Sequence, residues 1–323
     1  MIELKYFITN LLNLNIMKVR SIVVVVFLVL GVTACQKEAN PDLIGPLSDE
    51  PIFRDLPARV SSNVLKSTSV NQFEIYMAEY YTTGEGGEIG RTIFYSNNGN
   101  KQFGEDFVPE LSIDGTSDVT YYIDGNRPTA DVDVAISSAA ISRAMSTWDA
   151  ITCSDLGMTQ VPYDGRATGF VSAVWGFGGS TNYAADVTHC GWMPGAFFDI
   201  IAPGGSNYIL GMTFTLVFVD GDGNPTDVDN NKKADVAWRE IYYNDEFTWN
   251  DGATYDIETV ALHETGHGLS QAHFGKAFFT HHNGKLHFSP RALMNASYSG
   301  IQTQVLKTDI AGHCSIWANW PLN

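Results

Sequence analysis

The residues best suited to chemistry lie in one short stretch, His263-Glu264-Thr265-Gly266-His267, with His273 six positions further on. Side chains four apart on a helix lie one above the other, so His263 and His267 would offer both imidazoles to a single ion. Glu264 is rotated by one residue, within reach of a metal-bound water but not of the metal. That pattern suits a general base acting on zinc-activated water. For His273 to join the same ion, the helix must stop soon after His267 and the chain must turn back, and Gly266 and Gly268 stand where such a break is easiest. Three neutral imidazoles plus one open position describe a catalytic zinc site rather than a structural one.

Several elements must position these residues. Asp256 opens the zinc helix, with Ile257, Val260 and Ala261 as its buried side. Val119 to Ile123 reads as a strand closed by the turn Asp124-Gly125-Asn126. Thr129 is expected to cap a helix running to about Ile151, because Ile141, Met145, Trp148 and Thr152 recur at helical spacing. Phe170 to Trp175 and Met212 to Val219 read as buried strands, Glu240 to Asn244 as a short one, and Thr308 to Trp317 as a last helix. Strands bracketing a few helices without regular alternation imply an α+β fold. Between 58 and 112, Phe73–Tyr76 and Thr92–Tyr95 look like strands among Gly and Asn clusters. This small β-rich segment carries no chemical motif and is left open as a subdomain or a pro-segment.

With its methionine downstream, the histidine motif resembles the signature of the metzincins, H-E-x-x-H-x-x-G-x-x-H followed by a methionine turn. Ala292-Leu293-Met294-Asn295 is the matching turn, with Met294 beneath the metal. Tyr298, four residues later, is similar to the matrixin version, while the astacin-like tyrosine is absent because Ala296 stands there. Val119–Tyr121, Ile141–Ile151, Glu240–Asp245 with Trp249, and Asp309–Gly312 resemble further matrixin elements in order. The resemblance covers residues 113–323. It implies a twisted mixed β-sheet, three main helices and a zinc cleft, in which a monomeric zinc endopeptidase cleaves protein or peptide substrates. The substrate chain is expected antiparallel to an edge strand, assigned to Met212–Val219. Three departures stand out. Ser270 replaces the motif glycine at a turn that needs φ > 0. Phe274 to Leu293 is long and is expected to line the substrate pocket. Finally, no cysteine lies between Gln36 and Thr152, so a cysteine switch cannot operate from there.

The rest of the chain narrows the setting. Its 323 residues include 36 acidic and 19 basic side chains, a formal charge of −17, which argues against a nucleic-acid partner. Lys18 and Arg20 precede the apolar run Ile22–Leu30 and Gly31-Val32-Thr33-Ala34-Cys35, the pattern of a signal peptide. Its ending resembles the lipobox of bacterial lipoproteins. This implies removal of residues 1–34, lipidation of Cys35, a proline-bearing tether over 35–57, and attachment to the membrane of a bacterial cell envelope, facing periplasm or exterior. Removing a net +2 with the leader leaves −19. Asp220, Asp222, Asn224, Asp227, Asp229, Asn231 and Asp235 space oxygen ligands as a calcium loop does, though glycine and glutamate are missing at the EF-hand positions. Ca2+ is expected there as a structural ion beside the catalytic Zn2+, partly because matrixin-like domains commonly carry it. Of the remaining cysteines, Cys153 and Cys314 are paired and Cys190 is left free. His189 alone precedes the zinc helix, too little for a second zinc; His281, His282 and His287 read as loop residues. The competing reading is a non-catalytic, metal-stabilised surface lipoprotein, an adhesin or binding module, for which Glu264 has no use.

Overall fold

Two eleven-residue segments, Ile209–Val219 and Ala234–Asn244, form the longest strands after residue 113, and both are buried almost throughout, with Asp235, Arg239, Glu240 and Asn244 of the second included. Strands buried on both faces need cover on each, and the rest of the fold supplies it. The computed structural model describes residues 43–44, 50–56, 72–95, 104–280 and 284–322. The signal sequence, Cys35, most of the tether, His281 and His282 lie outside the described residues.

In chain order the strands are β1 (Leu43–Ile44), β2 (Ile52–Phe53), β3 (Gln72–Thr82), β4 (Thr92–Phe94), β5 (Glu105–Asp106), β6 (Val119–Ile123), β7 (Met158–Gln160), β8 (Val187–Met193), β9 (Ile209–Val219), β10 (Ala234–Asn244), β11 (Lys276–Thr280) and β12 (Leu286–Ser289). The helices are α1 (Val134–Asp149), α2 (Phe170–Val174), α3 (Gly195–Ile201), α4 (Ile257–Gly268) and α5 (Lys307–Trp317). The main sheet runs β2-β4-β3-β9-β10-β8-β6-β7, with β5 beside the start of β10. Strands β7, β6, β8 and β10 are parallel, while β9 is antiparallel to both β10 and β3. The fold is α+β with a mixed sheet; α1, α4 and α5 are its three longer helices.

Each face of the sheet carries its own core. On one, Tyr81, Leu210, Ile241 and Tyr243 meet Ile141, Met145 and Trp148 of α1, Val260 and Leu262 of α4, and Trp317 of α5. On the other, Tyr80, Met212, Phe214 and Tyr242 meet Phe170 and Val171 of α2 and Phe197, Phe198 and Ile201 of α3. Adjacent residues of β3 (Tyr80, Tyr81) and of β10 (Ile241, Tyr242, Tyr243) thus face opposite layers, as period-two geometry requires, while a register shift beside Leu210 sets it on the layer opposite to that of Met212 in β9. The Trp148 indole N–H donates to the Leu262 carbonyl at 2.8 Å, tying α1 to α4.

Three expectations are corrected. Phe170–Val174 is helical, not a strand: the amides of Phe170 and Val171 donate to the Glu240 carboxylate at 2.6 and 3.0 Å, and Gly169 at φ 94 turns the chain into them. A tertiary cap overrides strand propensity there. The helix expected from Thr129 starts at Val134, because the Thr129 hydroxyl accepts from Asp131 in a local turn instead. Most consequential, β9 is not an edge strand. β3 pairs with it from Gln72↔Val219 to Thr82↔Ile209, so the described strands between 72 and 95 belong to the main sheet.

Candidate metal centre

Helix α4 begins where Asp256 accepts the Thr259 amide at 2.8 Å, an N-cap that satisfies a free helix-end donor. It ends at Gly268. Ser270 then takes φ +64, and Ser270 N and Gln271 N bond back to the carbonyls of His267 and Gly266. The strained serine is held by Arg239, a fully buried side chain that donates to Ser270 Oγ at 2.9 Å and to the Gly268 carbonyl at 2.8 Å. This tight reversal returns His273 to the helix.

The three imidazoles converge. His263 Nε2 lies 3.1 Å from His267 Nε2 and 3.3 Å from His273 Nε2, and the remaining pair is 3.2 Å apart. His263 Nδ1 donates to the Leu293 carbonyl at 2.9 Å and His267 Nδ1 to the Gln271 carbonyl at 2.7 Å. With the protons on Nδ1, bare Nε2 lone pairs of His263 and His267 face each other, an arrangement that repels unless a cation lies between them. Zinc–nitrogen bonds of about 2.0–2.1 Å in a tetrahedron set nitrogens about 3.3–3.4 Å apart, so the donor set fits zinc. Among the described residues no other group of three His, Cys, Asp or Glu side chains brings its ligand atoms within 4.8 Å of one another. Burial holds His263 and His273 well below the usual histidine range, which keeps both neutral and ready to ligate.

Glu264 is fully buried beside the triad. Its Oε2 accepts from the Thr213 hydroxyl at 2.7 Å, while Oε1 has no hydrogen-bond partner among the described residues. Burial raises its carboxyl to about 8. Met294 packs under α4, and a Cβ on Gly266 would run into its sulfur. The turn that carries Met294 is held by Asp309 of α5, whose carboxylate accepts the amides of Leu293 and Met294 at 3.0 and 3.1 Å. Asp309 marked only the start of a helix in the sequence; its tertiary role had no local signal. Tyr298 lies beside this turn, its amide bonded to the Thr82 carbonyl at 2.8 Å.

The motif-free N-terminal segment contributes the residues that sequence reasoning missed. Glu79 of β3, 3% exposed, places Oε2 3.0 Å from His267 Nδ1. Burial pulls His267 down, but Glu79, the Glu264 carboxylate and the Gln271 carbonyl together leave that ring raised. The Tyr81 ring stacks on His263 at 3.8 Å between centroids. Nothing marked either residue except alternation along β3, which puts both on the face toward α4.

The remaining candidates fall elsewhere. Asp220 accepts the amides of Asp222 and Asn224, Asp227 that of Lys232, Asp229 that of Asn231, and Asp235 that of Val228. These local turns engage the carboxylates of Asp220, Asp227, Asp229 and Asp235, and the expected calcium ligands form no group of three carboxylates with oxygens within 4.8 Å of one another. Cys153 and Cys314 are joined in a disulfide, and Cys190 is buried and free. His189 is buried against Tyr243 and Met145. The hairpin β11–β12 and the turn Thr83–Gly87 line a cavity of about 830 Å³ next to Tyr298, bordered by Phe279, Lys285, His287 and Arg291. No helix among the described residues is long and apolar enough to cross a membrane. Neither a protein-family model nor a curated protein matches the chain.

Proposed function

We propose that the protein is a zinc-dependent endopeptidase of metzincin-like, matrixin-related type. The observation that carries this reading is the convergence of three Nε2 atoms within 3.3 Å beside a buried carboxylate that does not ligate with them. His263, His267 and His273 would hold the ion, which supplies a Lewis acid that acidifies water and polarises a carbonyl. The chain's own groups do the rest. Glu264 Oε1 accepts a proton from the attacking water and hands it to the departing amine, while Thr213 fixes the other carboxylate oxygen. Leu293 and Gln271 carbonyls hold two rings in the tautomer that leaves Nε2 available.

Attachment to a bacterial envelope through lipidated Cys35 is part of the proposal and rests on the Lys18–Cys35 pattern. The non-catalytic reading draws support from one observation, that His263, Glu264 and His267 are all fully buried. Casein or peptide hydrolysis by the zinc-loaded chain, with and without a chelator, separates the two. Chelator-sensitive cleavage supports the peptidase, and a stable zinc-bound chain that cleaves nothing under any condition supports the binding module.

A further inference from the structure

A peptidase that holds its substrate as an extended chain needs a free strand edge beside the metal helix and a wall opposite. Here the strand beside Glu264 is β9, through Thr213, and the opposite wall is the segment Ala296–Tyr298 after the methionine turn. Both are already bonded to the chain itself. β3 runs antiparallel along β9, with Glu79 opposite Thr213 and Tyr81 opposite Gly211. It then crosses to the wall: Thr82 bridges Ser297 in parallel, the Tyr298 amide donates to the Thr82 carbonyl at 2.8 Å, and the Gly90 amide donates to the Ala296 carbonyl at 2.7 Å.

Two of the three ligands are touched by this segment, and the chain just beyond it approaches the third. Glu79 meets His267, Tyr81 lies flat on His263, and a Cβ on Gly90 would stand 2.9 Å from His273 Cε1. His263, Glu264 and His267 are 0% exposed, and His273 is the one ligand left partly exposed. Tyr81 is itself buried, between His263 and Tyr298.

We infer that Glu79–Thr83 is a built-in occupant of the substrate groove, bonded to both rims as a bound peptide would be. The chain that replaces it is an extended peptide that lays an aromatic ring on His263. This inference rests on the zinc-peptidase reading, since it takes the histidine triad as the metal end of the groove. Displacement of the occupant precedes catalysis, and the protein is latent while the occupant stays.

The test uses the full chain, zinc-loaded and carrying Glu264→Gln so that nothing is cut. Two readouts are taken: release of zinc to a colorimetric chelator, and anisotropy of a labelled peptide spanning residues 72–84. With Tyr81 present, release is slow and the peptide does not bind. Tyr81→Ala, which removes the ring on His263, speeds release by about tenfold or more and exposes saturable peptide binding, because the competent state is no longer a minor one. Tyr81→Phe keeps the ring and behaves as the parent, and a peptide with alanine in place of its own Tyr81 binds at least about tenfold more weakly, a loss of about 1.4 kcal/mol. A folded Tyr81→Ala chain with one zinc, unchanged release and no peptide binding overturns the inference and leaves the zinc reading standing. Absence of zinc from every form instead overturns the reading beneath it. Should Tyr81→Ala fail to fold, hydrogen exchange on the parent decides: amides of 75–82 exchange faster than those of Ala234–Asn244 if the strand is displaceable, and equal protection overturns the idea.

Discussion

Glu79 Oε2 lies 3.0 Å from His267 Nδ1, although the two residues are far apart in the sequence. A carboxylate on the outer nitrogen of a ligating histidine orients the ring and raises its basicity. Glu79→Gln should therefore lower zinc affinity by about 10–100-fold while leaving the fold intact. Competition against a chelator of known affinity measures this, and an unchanged affinity would show that the Gln271 carbonyl suffices.

Arg239 and Ser270 supply a second prediction. Ser270→Ala keeps the left-handed backbone but removes a partner of a buried guanidinium, at about 1–3 kcal/mol. Ser270→Gly loses the same bond yet relieves roughly 1 kcal/mol of backbone strain. Urea unfolding should thus rank parent, glycine and alanine variants in that order of stability. An alanine variant as stable as the parent would mean that the Arg239 bond contributes nothing.

The Cys153–Cys314 bridge ties the segment after α1 to α5, with a sequence separation of 161 residues. Replacing both cysteines with serine should cost about 2–5 kcal/mol. Thermal melting under non-reducing conditions checks this, against the expectation that the parent falls to the same midpoint once reduced.

Two buried histidines make stability fall in acid. Burial lowers His189 to about 3 and His313 to about 4, so both stay neutral in the native protein while the unfolded chain protonates them near 6.5. The stabilisation is complete above about 6.5 and is lost as pH drops toward 4 and 3, at about 1.4 kcal/mol per pH unit for each histidine. His313→Phe should flatten the acid limb of the stability curve between pH 6.5 and 4. Comparing the two slopes cancels the contribution of zinc release, and identical slopes would remove His313 from the explanation.

What could be read before folding was local chemistry. His263, Glu264, His267 and His273 sit within eleven residues, where helical geometry and two glycines suffice to predict convergence. The same holds for the N-cap Asp256 and the buried face of α1. What could not be read was set by partners distant in sequence. Glu240 turned Phe170–Val174 into a helix, Asp309 secured the methionine turn, and β3 covered the strand expected to be an edge. The largely apolar run of β9 did carry a hint, since a strand buried on both faces sits comfortably in a sheet interior. No chemical motif distinguished Glu79 or Tyr81, because each acts through a contact that only sheet register creates.

Peptide hydrolysis at matched zinc content by the Tyr81→Ala chain, with Glu264 present or replaced by glutamine, tests the central claim most directly. The account predicts one zinc per chain in both forms and a rate lower by about 10²–10⁴-fold in Glu264→Gln, the usual worth of general acid–base catalysis. The claim is contradicted if the Glu264→Gln form cleaves as fast as its Glu264 counterpart, or if zinc-loaded chains with and without Tyr81→Ala hydrolyse no peptide at all.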